Sequence, residues 1–179
     1  LTKAELMRLL RVARLRPLAE YGRQVANKEH AQERSPRSRA TWKREPLDFE
    51  NLDAAVERAR EALRENPELT GRLERTGHER SLIYKTLVLT GLRKGELASL
   101  TVGQLELSDP VAYAILYAAD EKNRRGSHIP LRADLAAEIA SWLEERLVAL
   151  QDEARSRRQP IPMRLPATVL RRYGSASGL

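Results

Sequence analysis

Thr90-Gly91-Leu92-Arg93-Lys94-Gly95-Glu96-Leu97, followed by Leu100, is the segment whose residue types and spacing could do chemistry. A glycine-broken turn between two helices sets Arg93 at the start of the second, where its guanidinium can leave the surface of its own helix. A helix N-terminus adds positive potential for an anion such as a phosphate. Glu96, three residues on, can hold the helix start or pair with a nearby base. The same string also fits an ordinary helix-turn-helix with a surface arginine, because short motifs recur. His128 invites a metal or acid–base role. The chain has only three histidines, and no acidic cluster accompanies this one, so it reads as a strand-surface histidine. No cysteine is present, which removes disulfides, thiolate nucleophiles and Cys-ligated zinc.

The elements that must position Arg93 follow from pattern. Thr2-Lys3-Ala4-Glu5 reads as a capping box opening an amphipathic helix through Leu6, Leu9, Leu10 and Val12, which Pro17 is expected to end nearby. From about 22 to 46 periodicity dissolves into a basic stretch with Arg34, Arg37, Arg39, Lys43 and Arg44, and Trp42 its one large apolar residue. It reads as a basic loop or insertion, more a solvated linker than a direct DNA contact. Helix returns over 47–65, with Leu52, Val56, Ala59 and Leu63 on one face and Pro67 marking its end. The apolar run 82–89 suits a helix buried on most sides, or a strand, with Gly91 a natural left-handed C-cap. A short helix over 93–100 comes next, then strands over 104–108, 111–118 and 127–131, with a polar hairpin tip at 120–126. The clearest amphipathic helix is 133–150, and 151–179 reads as a basic, irregular tail. Trp42 and Trp142 are expected as core or partly exposed helix residues rather than base-stacking platforms. The fold class expected is α+β, mainly α-helical, with a small three-stranded antiparallel sheet.

Hydrophobic residues make up 41% of the 179, enough for a core, while charged residues reach 32% and aromatics 4%. The formal charge of +7 suits a polyanionic partner. No apolar run approaches bilayer-spanning length and no signal-peptide pattern opens the chain, so the expectation is a cytoplasmic protein with no membrane partner. Its first residue is Leu1 rather than Met, which fits a processed or cut N-terminus.

The segment from Thr90 to Leu97 resembles the T-G-x-R-x-x-E-L motif of the tyrosine recombinases (phage-integrase family, Xer-like type). A second match follows it: Lys122 stands eight residues before Pro130, in Lys122-Asn123-Arg124-Arg125-Gly126-Ser127-His128-Ile129-Pro130-Leu131, as the family's hairpin lysine does. The separation of Arg93 from Lys122 and the Leu1-Thr2-x-x-Glu5-Leu6 opening are also similar to that family's catalytic domain. The resemblance implies that 1–150 is the N-terminal part of that domain, with the 22–46 stretch inserted and 151–179 a tail. It implies DNA breaking and rejoining through a phosphotyrosyl intermediate, without metal or other cofactor. Arg93 would stabilise charge on the non-bridging phosphate oxygens and Lys122 would protonate the leaving 5′-oxygen, each fixed donor worth roughly a hundred- to a thousandfold in rate. Thr90, Lys94, Arg124 and Arg125 are the accompanying DNA-binding candidates, and Arg93 and Lys122 are expected on one concave basic face.

The later family motifs are missing. His30, His78 and His128 are followed at the fourth position by Glu33, Ser81 and Leu131, so no H-x-x-R exists. Tyr21 and Tyr84 precede the arginine motif, Tyr113 and Tyr117 lie on an expected strand as packing residues, and Tyr173 stands in a Gly/Ser tail without the motif helix before it. The expectation is therefore a truncated recombinase, DNA-binding but not catalytic alone, with the break after Pro166 and with apolar surface exposed. The alternative is a non-catalytic DNA-binding or interaction module, for instance one that pairs with intact recombinase protomers.

Overall fold

The computed structural model describes residues 1–32, 47–108, 111–121 and 124–166, with side chains described for all of these except 26–32. It is mainly helical with one small three-stranded antiparallel sheet, an α+β arrangement. The chain divides into two compact units, the first Leu1–Tyr84 and the second beginning at Lys85.

In the first unit, α1 (Lys3–Gln32) opens on the expected reciprocal cap. The Glu5 N–H donates to Thr2 Oγ1 at 3.2 Å, and the Thr2 N–H donates to Glu5 Oε2 at 2.7 Å. The backbone and hydroxyl hydrogen bonds from Thr2 hold the Glu5 carboxyl below its usual range, against a little desolvation. Pro17 does not end the helix; α1 runs on past it to Gln32, so residues 22–32 of the expected insertion are helical. Trp42 and the cluster from Arg34 to Arg44 lie outside the described residues. An interior proline costs a helix about 3 kcal/mol, and packing offsets it here. Pro17 is itself buried, and Leu18 and Ala19 directly after it are 2% and 0% exposed against α2 (Leu52–Ala62).

A turn in which Asp48 and Asn51 exchange backbone-to-side-chain hydrogen bonds leads into α2, so that helix starts later than 47 and is shorter than expected. Its buried stripe of Leu52, Ala55, Val56 and Ala59, continued by Leu63, meets Leu18 and Ala19. Burying one such leucine is worth roughly 1.5–3 kcal/mol. Leu69 and Leu73 of α3 (Pro67–Thr90) pack on the same core. Pro67 therefore opens a helix instead of closing one, which suits its missing N–H at the first helical position. Two glycines let backbones touch. A Cβ on Gly22 would lie 1.8 Å from the Ala55 carbonyl oxygen, and one on Gly77 would lie 1.8 Å from that of Arg14.

The residues 82–89 are helix, the last two turns of α3. In the second unit, Lys85 Nζ donates to Glu138 Oε2 at 2.6 Å and lies 3.4 Å from Asp134 Oδ2, tying α3 to α5 (Ala133–Ser156). The Lys85 side chain is 16% exposed. Burial pulls its pKa down, but the hydrogen bonds and charges of Glu138 and Asp134 outweigh that and raise it. Leu135, Ala136, Ile139 and Trp142 form the buried stripe of α5, so Trp142 is a core residue. The helix extends beyond 150 to Ser156 and ends on Arg158 in the left-handed region (φ 53°), with the Gln159 N–H donating to the Ala154 carbonyl. Residues 151–156 of the expected tail are thus helical, and the Gln151 side chain donates to the Pro162 carbonyl at 3.1 Å.

Between α3 and α5 come α4 (Lys94–Ser99), a 3-10 turn (Val102–Gln104) and strands β1 (Leu105–Glu106), β2 (Tyr113–Leu116) and β3 (Ser127–Pro130). All three strands are shorter than the pattern predicts. They pair antiparallel in the order β1-β2-β3, with Leu105 opposite Ala114 and Leu116 opposite Ser127. Gln104 lies in the 3-10 turn rather than in the strand expected from 104, and is buried. Its amide donates to the Ile115 carbonyl at 2.8 Å and accepts from the Thr101 N–H and hydroxyl, each at 2.9 Å. No helix among the described residues is long and apolar enough to cross a membrane.

Candidate functional site

The end of α3 sets up the arginine. Gly91 takes φ 72°, and its N–H donates to the Leu87 carbonyl at 3.0 Å. A left-handed residue after a helix is where glycine is favoured. The Thr90 hydroxyl donates to the Thr86 carbonyl at 2.6 Å and accepts from the Leu92 N–H at 3.3 Å. Thr90 therefore shapes the turn from a half-buried position. Leu92 is buried, and the next residue, Arg93, becomes the N-cap of α4 in an extended conformation.

Glu96 then accepts two hydrogen bonds from Arg93. The Arg93 N–H donates to Glu96 Oε2 at 2.8 Å, and Arg93 Nη1 donates to Glu96 Oε1 at 2.7 Å. The Arg93 side chain stays 58% exposed while the Glu96 side chain is 9% exposed. The guanidinium thus lies along the rim of its own short helix with one face held and the rest open to solvent. An ion pair with so exposed a partner adds little to stability by itself. Its effect is to narrow where the guanidinium can go. α4 has six residues, so its dipole is weaker than a full helix would supply. Lys94 and Gly95 beside Arg93 are exposed.

The β2–β3 hairpin carries the second half of the candidate site. Past β2, Glu121 Oε2 accepts from the Gly126 N–H at 2.8 Å and the Arg125 N–H at 3.2 Å. The other oxygen, Oε1, accepts from the Ser127 hydroxyl at 2.7 Å. Arg124 and Arg125 are exposed, Arg124 with φ 53° and Gly126 with φ 76°. A non-glycine residue in that region costs about 1–2 kcal/mol. Lys122 lies outside the described residues. The Ser127 hydroxyl holds the Glu121 carboxyl below its usual range, partial desolvation opposes this, and the Arg125 and Gly126 N–H groups reinforce it. The charge of Glu96 pushes it back up. Because Lys122 lies outside the described residues, its expected place on one face with Arg93 does too.

Among the other candidates, Tyr113 is half-buried on β2 and packs its ring against exposed His128 at 5.3 Å between centroids. Tyr117 lies just past β2 and is 53% exposed, against the expectation of a packed strand residue. Tyr21 packs on the first unit's core, Tyr84 is 45% exposed, and Tyr173 lies outside the described residues. No group of three or more potential metal-ligating His, Cys, Asp or Glu residues occurs among the described residues. Sequence reasoning missed Glu121 as an organiser. Its signal is a glutamate followed at the fifth and sixth positions by Gly126 and Ser127, small residues whose N–H and hydroxyl can turn back onto it. No family model, no curated protein and no solved structure matches this chain.

Proposed function

We propose that this chain is part of a tyrosine-recombinase catalytic domain and engages the DNA backbone through Arg93 and Lys122, assisted by Lys94, Arg124 and Arg125. The observation that carries the proposal is the turn after α3: Gly91 breaks the helix, and Arg93 is left exposed while buried Glu96 holds its N–H and one guanidinium nitrogen. A group meant only for packing would be covered. A guanidinium oriented yet open has its remaining donors available to a phosphate, where bidentate geometry suits it. Further support comes from the hairpin sequence around Lys122, eight residues before Pro130.

The covalent step is not expected of this chain as it stands, because no H-x-x-R occurs and no tyrosine sits in the family's context. The test is duplex-DNA affinity by fluorescence anisotropy across a salt series, for the wild type, Arg93→Ala and Lys122→Ala, with Arg64→Ala as an exposed basic control. Each lost phosphate contact should flatten the slope of log affinity against log salt by about 0.9. If Arg93 and Lys122 behave like Arg64, the proposal fails. A nicked duplex should give no covalent product on a denaturing gel; an adduct lost in Tyr173→Phe would overturn the claim of inactivity. A second role, association with intact recombinase protomers, is favoured by Tyr84 and Val88, one turn apart on α3 and 45% and 42% exposed. Such association should survive Arg93→Ala and Lys122→Ala.

A further inference from the structure

Glu121 is bound at every polar atom it has. Its N–H donates to the Tyr117 carbonyl at 3.2 Å, its own carbonyl accepts from the Arg124 N–H at 3.1 Å, and its carboxylate accepts from Arg125, Gly126 and Ser127. The turn closed this way holds a non-glycine residue, Arg124, at positive φ, beside Gly126, which takes that conformation freely. It presents two exposed arginines. An acid at the tip of a basic hairpin is also a liability for a polyanion-binding surface, since its charge repels phosphate.

We infer that Glu121 is a positioning residue, whose carboxylate fixes the backbone at Arg125 and Gly126 so that Arg124 and Arg125 meet the DNA backbone in one arrangement. This rests on the DNA-binding function proposed above. The two effects of the carboxylate have opposite signs. As a mere surface charge, Glu121 weakens DNA binding, and neutralising it strengthens binding. As a positioning group, it promotes binding, and neutralising it weakens binding although the chain becomes more positive. In Glu121→Gln one acceptor oxygen becomes an NH2 group that cannot accept, so one side of the clasp is lost with the shape conserved.

The experiment combines amide hydrogen exchange at Arg125 and Gly126, read by NMR, with duplex-DNA affinity at fixed salt. Glu121→Gln should lower protection at Gly126 and weaken DNA binding about fivefold, the equivalent of one hydrogen bond's net contribution. Ser127→Ala, which removes one clasp without changing charge, should move both readouts the same way by less. In an Arg124→Ala/Arg125→Ala background, Glu121→Gln should no longer weaken binding. If the double arginine variant weakens binding while Glu121→Gln leaves it unchanged or tighter, the positioning role is overturned and DNA binding stands. If the double arginine variant itself binds as the wild type does, the hairpin's part in DNA binding fails, and the positioning role with it.

Discussion

Replacing Gly22 by alanine tests whether the α1–α2 seam is held by backbone contact. A Cβ there would lie 1.8 Å from the Ala55 carbonyl oxygen, 2.8 Å from its carbon and 3.0 Å from the Ala59 nitrogen. All three are backbone atoms, so no side chain can swing aside. Restoring even a tight 3.0 Å approach to the oxygen opens the seam by about 1.2 Å, and a gap of that order forfeits a quarter to a half of each affected dispersion contact. Leu18, Ala19, Leu52, Ala55, Val56 and Ala59 line that seam. Overpacking costs about 1–3 kcal/mol, and rigid backbone on the far side puts Gly22 at the upper end. Alanine's better helix propensity returns about 1 kcal/mol, leaving a net loss of about 2 kcal/mol. Gly77→Ala should behave alike against the Arg14 carbonyl. Gly95 sits in a helix with nothing within 4 Å of its added Cβ, so Gly95→Ala should gain about 0.5–1 kcal/mol. Urea unfolding followed by circular dichroism at matched m-values measures all three. A Gly22→Ala chain as stable as the wild type would refute the close-contact reasoning, most sharply if Gly95→Ala ranked below it.

Arg158 caps α5 from the left-handed region at φ 53°, so Arg158→Gly should stabilise by about 1 kcal/mol, visible as a raised urea midpoint; no change would mean the cap is frayed in solution. Gly91→Ala meets no atom within 4 Å but keeps φ 72°, so it should cost about 1 kcal/mol from conformation alone. Lys85→Met keeps the aliphatic stem and removes the charge between Glu138 and Asp134, and should cost about 1 kcal/mol after discounting for the partly exposed carboxylates. Because the folded-state pKa of Lys85 is raised above 10.5, that contribution is fully present below the unfolded value and is lost as pH rises through the folded one. The difference between wild type and Lys85→Met should therefore shrink in strongly alkaline buffer, and a constant difference would remove the charge as its cause.

Elements whose signals are local are legible in the amino-acid sequence. Thr2 and Glu5 cap one another across three residues, Gly91 ends α3 where a left-handed residue is needed, and the hairpin turns between its strands. Pro17 misleads because its penalty is local while its compensation comes from Leu52 and its neighbours far along the chain. The same distance hides Lys85, which reads as a break in an apolar run until Asp134 and Glu138 are brought beside it. Gly22 and Gly77 carry no signal at all, since a glycine's use in a helix depends on what approaches it. At the candidate site, the placement of Arg93 and the hold of Glu96 are legible from spacing. Glu121 is not, because a glutamate in a polar turn is ordinarily solvated.

The division of labour around Arg93 decides how its function can be tested. Glu96 binds the Arg93 N–H as well as its side chain, and the N–H survives any substitution except proline. Arg93→Ala therefore leaves the α4 cap in place and removes only an exposed guanidinium, so stability should change by less than about 0.5 kcal/mol. Glu96→Ala is different in kind, because it strips the cap and frees the guanidinium together, costing about 1 kcal/mol or more at the helix start. Loss of DNA binding in Arg93→Ala with an unmoved urea midpoint would assign the effect to the charge. A midpoint that falls as far as that of Glu96→Ala would show instead that Arg93 serves the fold.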